Sequence, residues 1–183
     1  MISRVQTPNP DAYVFQVKET LIPSGTFEFF QGSDLGSSPL AQCILAFEGV
    51  ELLMIAPRFI TVRKFPDADW SPLLDEVQNA FEEFLNRGEM VVIDSVTQES
   101  EEARSEVEQR ILKVLQEEVR PAIAQDGGDF IYHGFANGVV SLELIGACGT
   151  CPSSTATLHG GIQSLLQEEI PEVERVEQVF SEM

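Results

Sequence analysis

The stretch Cys-Gly-Thr-Cys-Pro at residues 148–152 constrains the local fold more than any other part of the chain. It follows the apolar run "GVVSLELIG", which has the length and composition of a strand, and Pro152 suits the first position of a helix. The spacing therefore predicts a strand, a short loop and a helix, with Cys148 and Cys151 where the helix starts. Unpaired amide groups and the positive end of the helix dipole favour anionic sulfur there, which promotes metal binding or nucleophilic attack.

The elements around this loop predict a small α+β unit. Paired glycines at 127 and 128 stop the preceding helix, and Asn137-Gly138 is typical of a tight turn between two strands. Pro171 separates the helix after the cysteines from a last strand. The predicted order is α-β-β-α-β, with a helix from 105 to the paired glycines, strands at 129–135 and 138–146, a helix from about 152 to 169 and a strand at 173–180.

The earlier residues predict a second small unit. We expect strands at 12–18 and 26–30 that form a hairpin, a helix from Pro39 capped by Ser38, strands at 50–56 and 58–65 broken by Pro57, and a helix at 69–88. An acidic segment without aromatic residues then marks a change of composition. The sequence therefore predicts an α+β protein of two small domains, 1–93 and 105–183, joined by an acidic linker at 94–104.

Charge and cysteine content exclude several classes of protein. Thirty acidic and eleven basic residues give a net charge of −19, which repels nucleic acid. No apolar stretch approaches the roughly 20 residues of a membrane-spanning helix, and no signal or transit segment is recognisable, so we expect a cytoplasmic protein without a membrane partner. Three cysteines, an odd number, favour metal or redox chemistry over a disulfide framework.

Three kinds of chemistry suit the two thiols. A zinc site or a [4Fe-4S] cluster usually takes four protein ligands, and two chains related by a two-fold axis can supply two thiolates each. Cys43 is expected on the apolar face of a helix in the other domain, as a small hydrophobic residue rather than a ligand. A site that depends on subunit association and lies near the surface releases its metal more easily, which suggests a carrier.

Two other interpretations compete with the metal carrier: a thioredoxin-like dithiol and a zinc-stapled interaction module. The dithiol uses the same spacing at a helix start and exchanges electrons through a disulfide. Its fold has a strand-helix-strand opening, whereas this motif comes late in its unit, after a hairpin. The zinc module predicts zinc in the purified protein and unfolding by chelators.

Several stretches also match a known family. "DGGD" at 126–129, "GACGTCPSSTATL" and "EEIPEVERV" resemble the NifU-like C-terminal domain over residues 105–180. "TPNPDAYVF", "SPLA", "FITV" and "DW" resemble the N-terminal domain of Nfu proteins, so the whole chain is similar to the Nfu family. One departure is Gly160 beside Gly161, where similar proteins tend to carry a bulkier residue before a single glycine.

The resemblance implies an iron-sulfur cluster scaffold or carrier with no turnover of its own. It implies a [4Fe-4S] cluster bound between two subunits of a homodimer, with Cys148 and Cys151 as the ligands. It also implies loading by cluster assembly machinery and delivery to apo iron-sulfur proteins.

The remaining candidate residues have simpler interpretations. Asp126 and Asp129 flank glycines that read as the end of a helix rather than a metal-binding loop. His133 and His159 are expected to be ordinary strand and helix residues. Trp70 and Phe81 are expected in the core, because they lie at helical spacing from apolar neighbours.

Overall fold

A computed structural model of the chain describes residues 2–92, 105–149 and 152–180, with residues 152–159 described as backbone only. These residues fall into two compact units, one on either side of the segment 93–104. The predicted acidic linker at 94–104 lies outside the described residues, and the domain boundaries stay a prediction. Both units combine helices with antiparallel strands, so the predicted α+β class is confirmed.

The first unit is a five-stranded antiparallel sheet packed against two helices. Its strands are β1 (Ser3–Gln6), β2 (Ala12–Gln16), β3 (Phe27–Phe30), β4 (Val50–Ala56) and β5 (Phe59–Lys64), and its helices are α1 (Pro39–Ile44) and α2 (Trp70–Arg87). The strand order is β1-β2-β5-β4-β3. Leu73, Val77, Phe81 and Phe84 of α2 are buried against this sheet, as expected for residues spaced three or four apart on one helix face.

The predicted hairpin between the strands at 12–18 and 26–30 is wrong. Strand β2 pairs with β1 and β5, whereas β3 pairs with β4 at the opposite edge of the sheet. The connecting residues pass the turn between β4 and β5, where the Val17 amide donates to the Arg58 carbonyl at 2.9 Å and the Leu21 amide to the Pro57 carbonyl at 2.8 Å. These bonds to a later segment place β3 on the far side of β5 and β4 from β2. The turn-forming residues between β2 and β3 do not indicate this separation.

Ser38 caps α1 and also ties the helix to a distant segment. Its buried hydroxyl accepts the Ala41 amide at 3.1 Å and donates to the Val91 carbonyl at 2.7 Å. The bond to Ala41 confirms the predicted cap, and the bond to Val91 is a contact that the sequence did not indicate.

Ser38→Ala is therefore expected to lower the free energy of unfolding by about 1–2 kcal/mol. The substitution removes the hydrogen-bond acceptor of the Ala41 amide and the donor to the Val91 carbonyl. Chemical denaturation measures the change. Ser164→Ala is the matched control, since Ser164 is exposed and its hydroxyl donates to the Gly160 carbonyl of its own helix. A Ser38 variant as stable as the Ser164 variant would contradict the prediction.

The second unit has the predicted α-β-β-α-β order. It comprises α3 (Glu106–Val114), a π-helical turn (Leu115–Val119), α4 (Arg120–Gln125), β6 (Gly128–Ala136), β7 (Val139–Gly146), α5 (Pro152–Glu169) and β8 (Arg175–Gln178). The sheet order is β6-β7-β8, with β6 antiparallel and β8 parallel to β7. Asn137 and Gly138 form the β6–β7 turn at positive φ, which confirms the predicted hairpin.

The helix predicted from 105 onwards contains a π-helical turn that ends two residues before Pro121. Ile111, Leu115, Val119 and Ile123 are all buried and lie four residues apart. In a regular helix, steps of four residues drift by about 40° each, so such a series would rotate away from the core. A wider turn absorbs this drift and also accommodates a proline that has no amide to donate.

Candidate metal centre

The loop that carries the cysteines connects the end of β7 to the start of α5. Gly146 ends β7 at a φ of 72°, Ala147, Cys148 and Gly149 follow, and α5 begins at Pro152. This is the predicted succession of strand, loop and helix. Cys151 lies outside the described residues, so its place in the site stays a prediction.

The Cys148 side chain points into the core of the second unit rather than to the surface. The residue is 1% exposed and belongs to the same apolar cluster as Ile123 of α4 and Leu144 of β7. The sequence predicts a site near the surface and contains no local signal for this burial. The cause lies in β6, the strand beside the loop.

Gly128 is the residue that makes room for the thiol. A Cβ at this position would lie 2.6 Å from Cys148 Sγ, 2.9 Å from Cys148 Cβ and 3.0 Å from Ile123 Cγ2. Its neighbour Gly127 has a φ of 78° and follows the end of α4, which confirms the predicted helix stop. One glycine suffices to end a helix, so the second glycine of the pair was the signal that sequence reasoning missed.

The cysteine loop is tied to the same glycine pair and to its own strand. The Ala147 amide donates to the Gly127 carbonyl at 3.1 Å, and Gly128 is the register partner of Gly146. A Cβ on Gly149 would lie 2.8 Å from the Leu144 carbonyl oxygen, so the position after Cys148 requires glycine. Close backbone approach on both sides therefore fixes Cys148.

Asp129 of the "DGGD" stretch is buried and has structural partners. Its carboxylate accepts hydrogen bonds from the Arg120 guanidinium at 3.0 Å and from the Phe130 amide at 2.8 Å. The Arg120 guanidinium also lies 4.7 Å from the centre of the Phe130 ring. These contacts join α4 to the start of β6. They favour the structural interpretation of this stretch over a metal-binding loop.

Asp129→Ala is expected to lower the free energy of unfolding by about 1–3 kcal/mol, because two donors lose a buried acceptor. We also expect the variant to keep its full iron content after reconstitution. Asp75→Ala is the control, since the Asp75–Arg4 pair is exposed and such pairs contribute about 0–1 kcal/mol. Loss of iron from a folded Asp129 variant would indicate a ligand instead.

The other candidate residues are distributed as follows. His133 Nε2 lies 2.8 Å from Glu143 Oε2 within the β6–β7 pair, and His159 lies in the part of α5 described as backbone only. Cys43 is half-buried and packs against the core of the first unit, which confirms its interpretation as a small hydrophobic residue. Over the ranges that the structure describes, no three His, Cys, Asp or Glu side chains come together as a metal site.

None of the helices in those ranges combines the length and apolar character that crossing a membrane requires.

The fold and the loop define a class of protein: a two-unit α+β chain with a C-x-x-C loop at the N-terminus of a helix. The family model "NifU-like domain" matches residues 111–177, and "Scaffold protein Nfu/NifU N terminal" matches residues 2–88. The human protein "NFU1 iron-sulfur cluster scaffold homolog, mitochondrial" is 37% identical over 186 residues, covering 99% of this chain and 72% of the human protein. The chain therefore belongs to the Nfu family, which confirms the resemblance.

Other relatives agree with this assignment. The Drosophila erecta protein of the same name is 36% identical over 185 residues, covering 99% of this chain, and the chain spans only 65% of the length of that relative. A solution NMR structure of a NifU-like protein from Saccharomyces cerevisiae is 29% identical, with a TM-score of 0.47 over 52% of this chain and 86% of that one. The family assignment depends on the sequence matches alone.

Proposed function

We propose that this protein is an iron-sulfur cluster scaffold or carrier that binds a [4Fe-4S] cluster between two subunits and transfers it to apo iron-sulfur proteins. The observation that carries the proposal is Cys148, held at the end of β7 just before α5, in a chain whose relatives are named as cluster scaffolds. In this proposal the cluster is cargo and the protein has no turnover of its own.

The number of thiols supports a site shared between subunits. A [4Fe-4S] cluster takes four thiolates, and each chain offers Cys148 and Cys151 at the motif. Cys43 is engaged with the core of the first unit and is not an expected ligand. A two-fold axis through the loop region supplies the missing pair with one self-complementary interface. The loaded protein is then a homodimer.

Thiolate exchange at the shared site allows the cluster to be transferred to a client protein. Cys148 and Cys151 bind iron as thiolates, and an incoming thiolate of the client displaces them one at a time. Each exchange forms one iron–sulfur bond and breaks another, so no sulfur changes its oxidation state. Because cargo and dimer are linked, dilution weakens retention and favours release to a client.

The partners in this proposal are the assembly machinery that loads the cluster and the apo proteins that receive it. The net charge of −19 makes nucleic acid an unfavourable partner. A cytoplasmic location stays a prediction, and the human and Drosophila relatives carry "mitochondrial" in their names.

The position of the C-x-x-C loop disfavours the dithiol oxidoreductase. The loop follows β7 of a hairpin, whereas a thioredoxin-like dithiol comes with a strand-helix-strand opening. The apolar cores of both units also disfavour a zinc staple as the main source of stability, since each core is formed by side chains of its own unit.

Anaerobic reconstitution with iron and sulfide tests the proposal. We expect about four irons and four sulfides per dimer. Copurified zinc, with unfolding under chelators, would indicate the zinc module instead. A protein that binds no iron and cycles a Cys148–Cys151 disulfide would indicate the oxidoreductase.

A further inference from the structure

We propose that Gly128 is a positioning residue for Cys148: it holds the thiol in a closed position in the core, which the thiol must leave before cargo is bound. The closed position follows from distances within a single chain. Its effect on cluster loading rests on the proposed function.

The geometry of the closed position is specific to a glycine. A methyl group on Gly128 would approach Cys148 Sγ to 2.6 Å, and rotating the thiol about its Cα–Cβ bond does not solve the problem. Cys148 Cβ itself would lie 2.9 Å from that methyl group, so the residue as a whole has to move. On the far side, Ile123 Cγ2 at 3.0 Å limits how far the methyl group can shift.

The backbone on both sides of the contact is held in place. Gly128 pairs with Gly146 in the β6–β7 ladder, and the Ala147 amide donates to the Gly127 carbonyl. Gly128 is not among the glycines with positive φ, so alanine fits its backbone conformation without strain. The effect of a substitution there therefore reports on the contacts with Cys148 and Ile123, of which those with Cys148 are the closest.

A thiol in this position is not available as a shared ligand. With 1% of Cys148 exposed, its sulfur is surrounded by core atoms, and a second copy of the chain cannot reach it. Loading therefore requires an opened loop in which Cys148 leaves the recess beside Gly128. Burial favours the closed form and cargo favours the open form, so the balance between the two forms sets the rate of loading.

Alkylation of the apo protein tests the positioning role directly. In this 183-residue chain with Cys43→Ala and Cys151→Ala, Cys148 is the only thiol, and mass spectrometry follows its reaction with N-ethylmaleimide. Adding Gly128→Ala is expected to raise the rate at least about tenfold, equivalent to about 1.4 kcal/mol in the opening equilibrium. Circular dichroism checks that each variant is folded.

Gly160→Ala is the matched control. Gly160 is exposed in α5 and a Cβ there would meet no atom within 4 Å, so the same substitution leaves Cys148 in place. Its alkylation rate should equal that of the parent. An unchanged rate in folded Gly128→Ala overturns the positioning role.

A second comparison applies even if Gly128→Ala does not fold. The chain with Cys148 as its only thiol should react at least about tenfold more slowly than a chain with only the half-buried Cys43, and denaturant should abolish the difference. Equal rates in the folded proteins overturn the closed position.

Loading separates this inference from the proposed function. With Cys148 and Cys151 both present, Gly128→Ala should acquire cluster absorbance with a faster initial rate than the wild type. Faster alkylation with an unchanged loading rate overturns the gating of loading by Cys148. If the wild type binds no cluster while alkylation responds to Gly128→Ala, the proposed function fails and the positioning of the thiol stands.

Discussion

Replacing either Cys148 or Cys151 with alanine is expected to reduce bound iron from about four per dimer to nearly none. Each substitution removes two ligands from a symmetric site, because both subunits lose the same thiolate. Two remaining thiolates do not hold a [4Fe-4S] cluster against solvent and competing thiols. Iron and sulfide analysis after anaerobic reconstitution measures the loss.

Cys43→Ala is the control for this experiment, because it removes a cysteine that packs in the first unit. This variant should retain the full iron content of the wild type. Full iron content in either motif variant would mean that other side chains bind the cargo, and the site assignment would then be wrong.

Phe81→Ala is expected to cause the largest loss of stability, about 3–5 kcal/mol in the free energy of unfolding of the first unit. Phe81 lies in the middle of α2, is completely buried and contributes one of the largest side chains of its core. The chain has a single tryptophan, Trp70, in the same helix, so its fluorescence reports the unfolding of this unit.

Met90→Ala provides the comparison, since Met90 lies in the same unit and is 65% exposed. Its effect should stay within about 0.5 kcal/mol. Denaturant midpoints that shift equally in both variants would contradict the assignment of Phe81 to the core.

Elements with strong local signals could be predicted from the sequence. Pro57 divides β4 from β5, Ser38 caps α1, and Asn137-Gly138 turns the chain between β6 and β7. Each signal comes from the conformational preference of a residue at its own position, which a neighbouring segment does not change.

Strand order and depth of burial could not be predicted in this way. Strand β1 is only four residues long, with the polar sequence Ser-Arg-Val-Gln, and is defined by its pairing with β2. The separation of β2 from β3 depends on bonds to Pro57 and Arg58, which come later in the chain. Pairing between distant segments leaves little trace in either segment.

The candidate site shows the same division. The spacing of Cys148 and Cys151 and the proline after them predicted a loop before a helix, and β7 and α5 have that arrangement. The depth of the Cys148 thiol depends on a missing side chain at Gly128, in another strand. Such complementarity appears only when the two strands are brought together.

Native mass spectrometry of the reconstituted protein, kept free of oxygen, distinguishes a cluster shared between two chains from a cluster held by one chain. The shared site predicts one species with two chains and a single [4Fe-4S] cluster, which separates into apo single chains when the cluster is removed by oxygen. A single chain that retains a complete cluster on dilution would contradict the account, because one chain would then supply the whole coordination sphere.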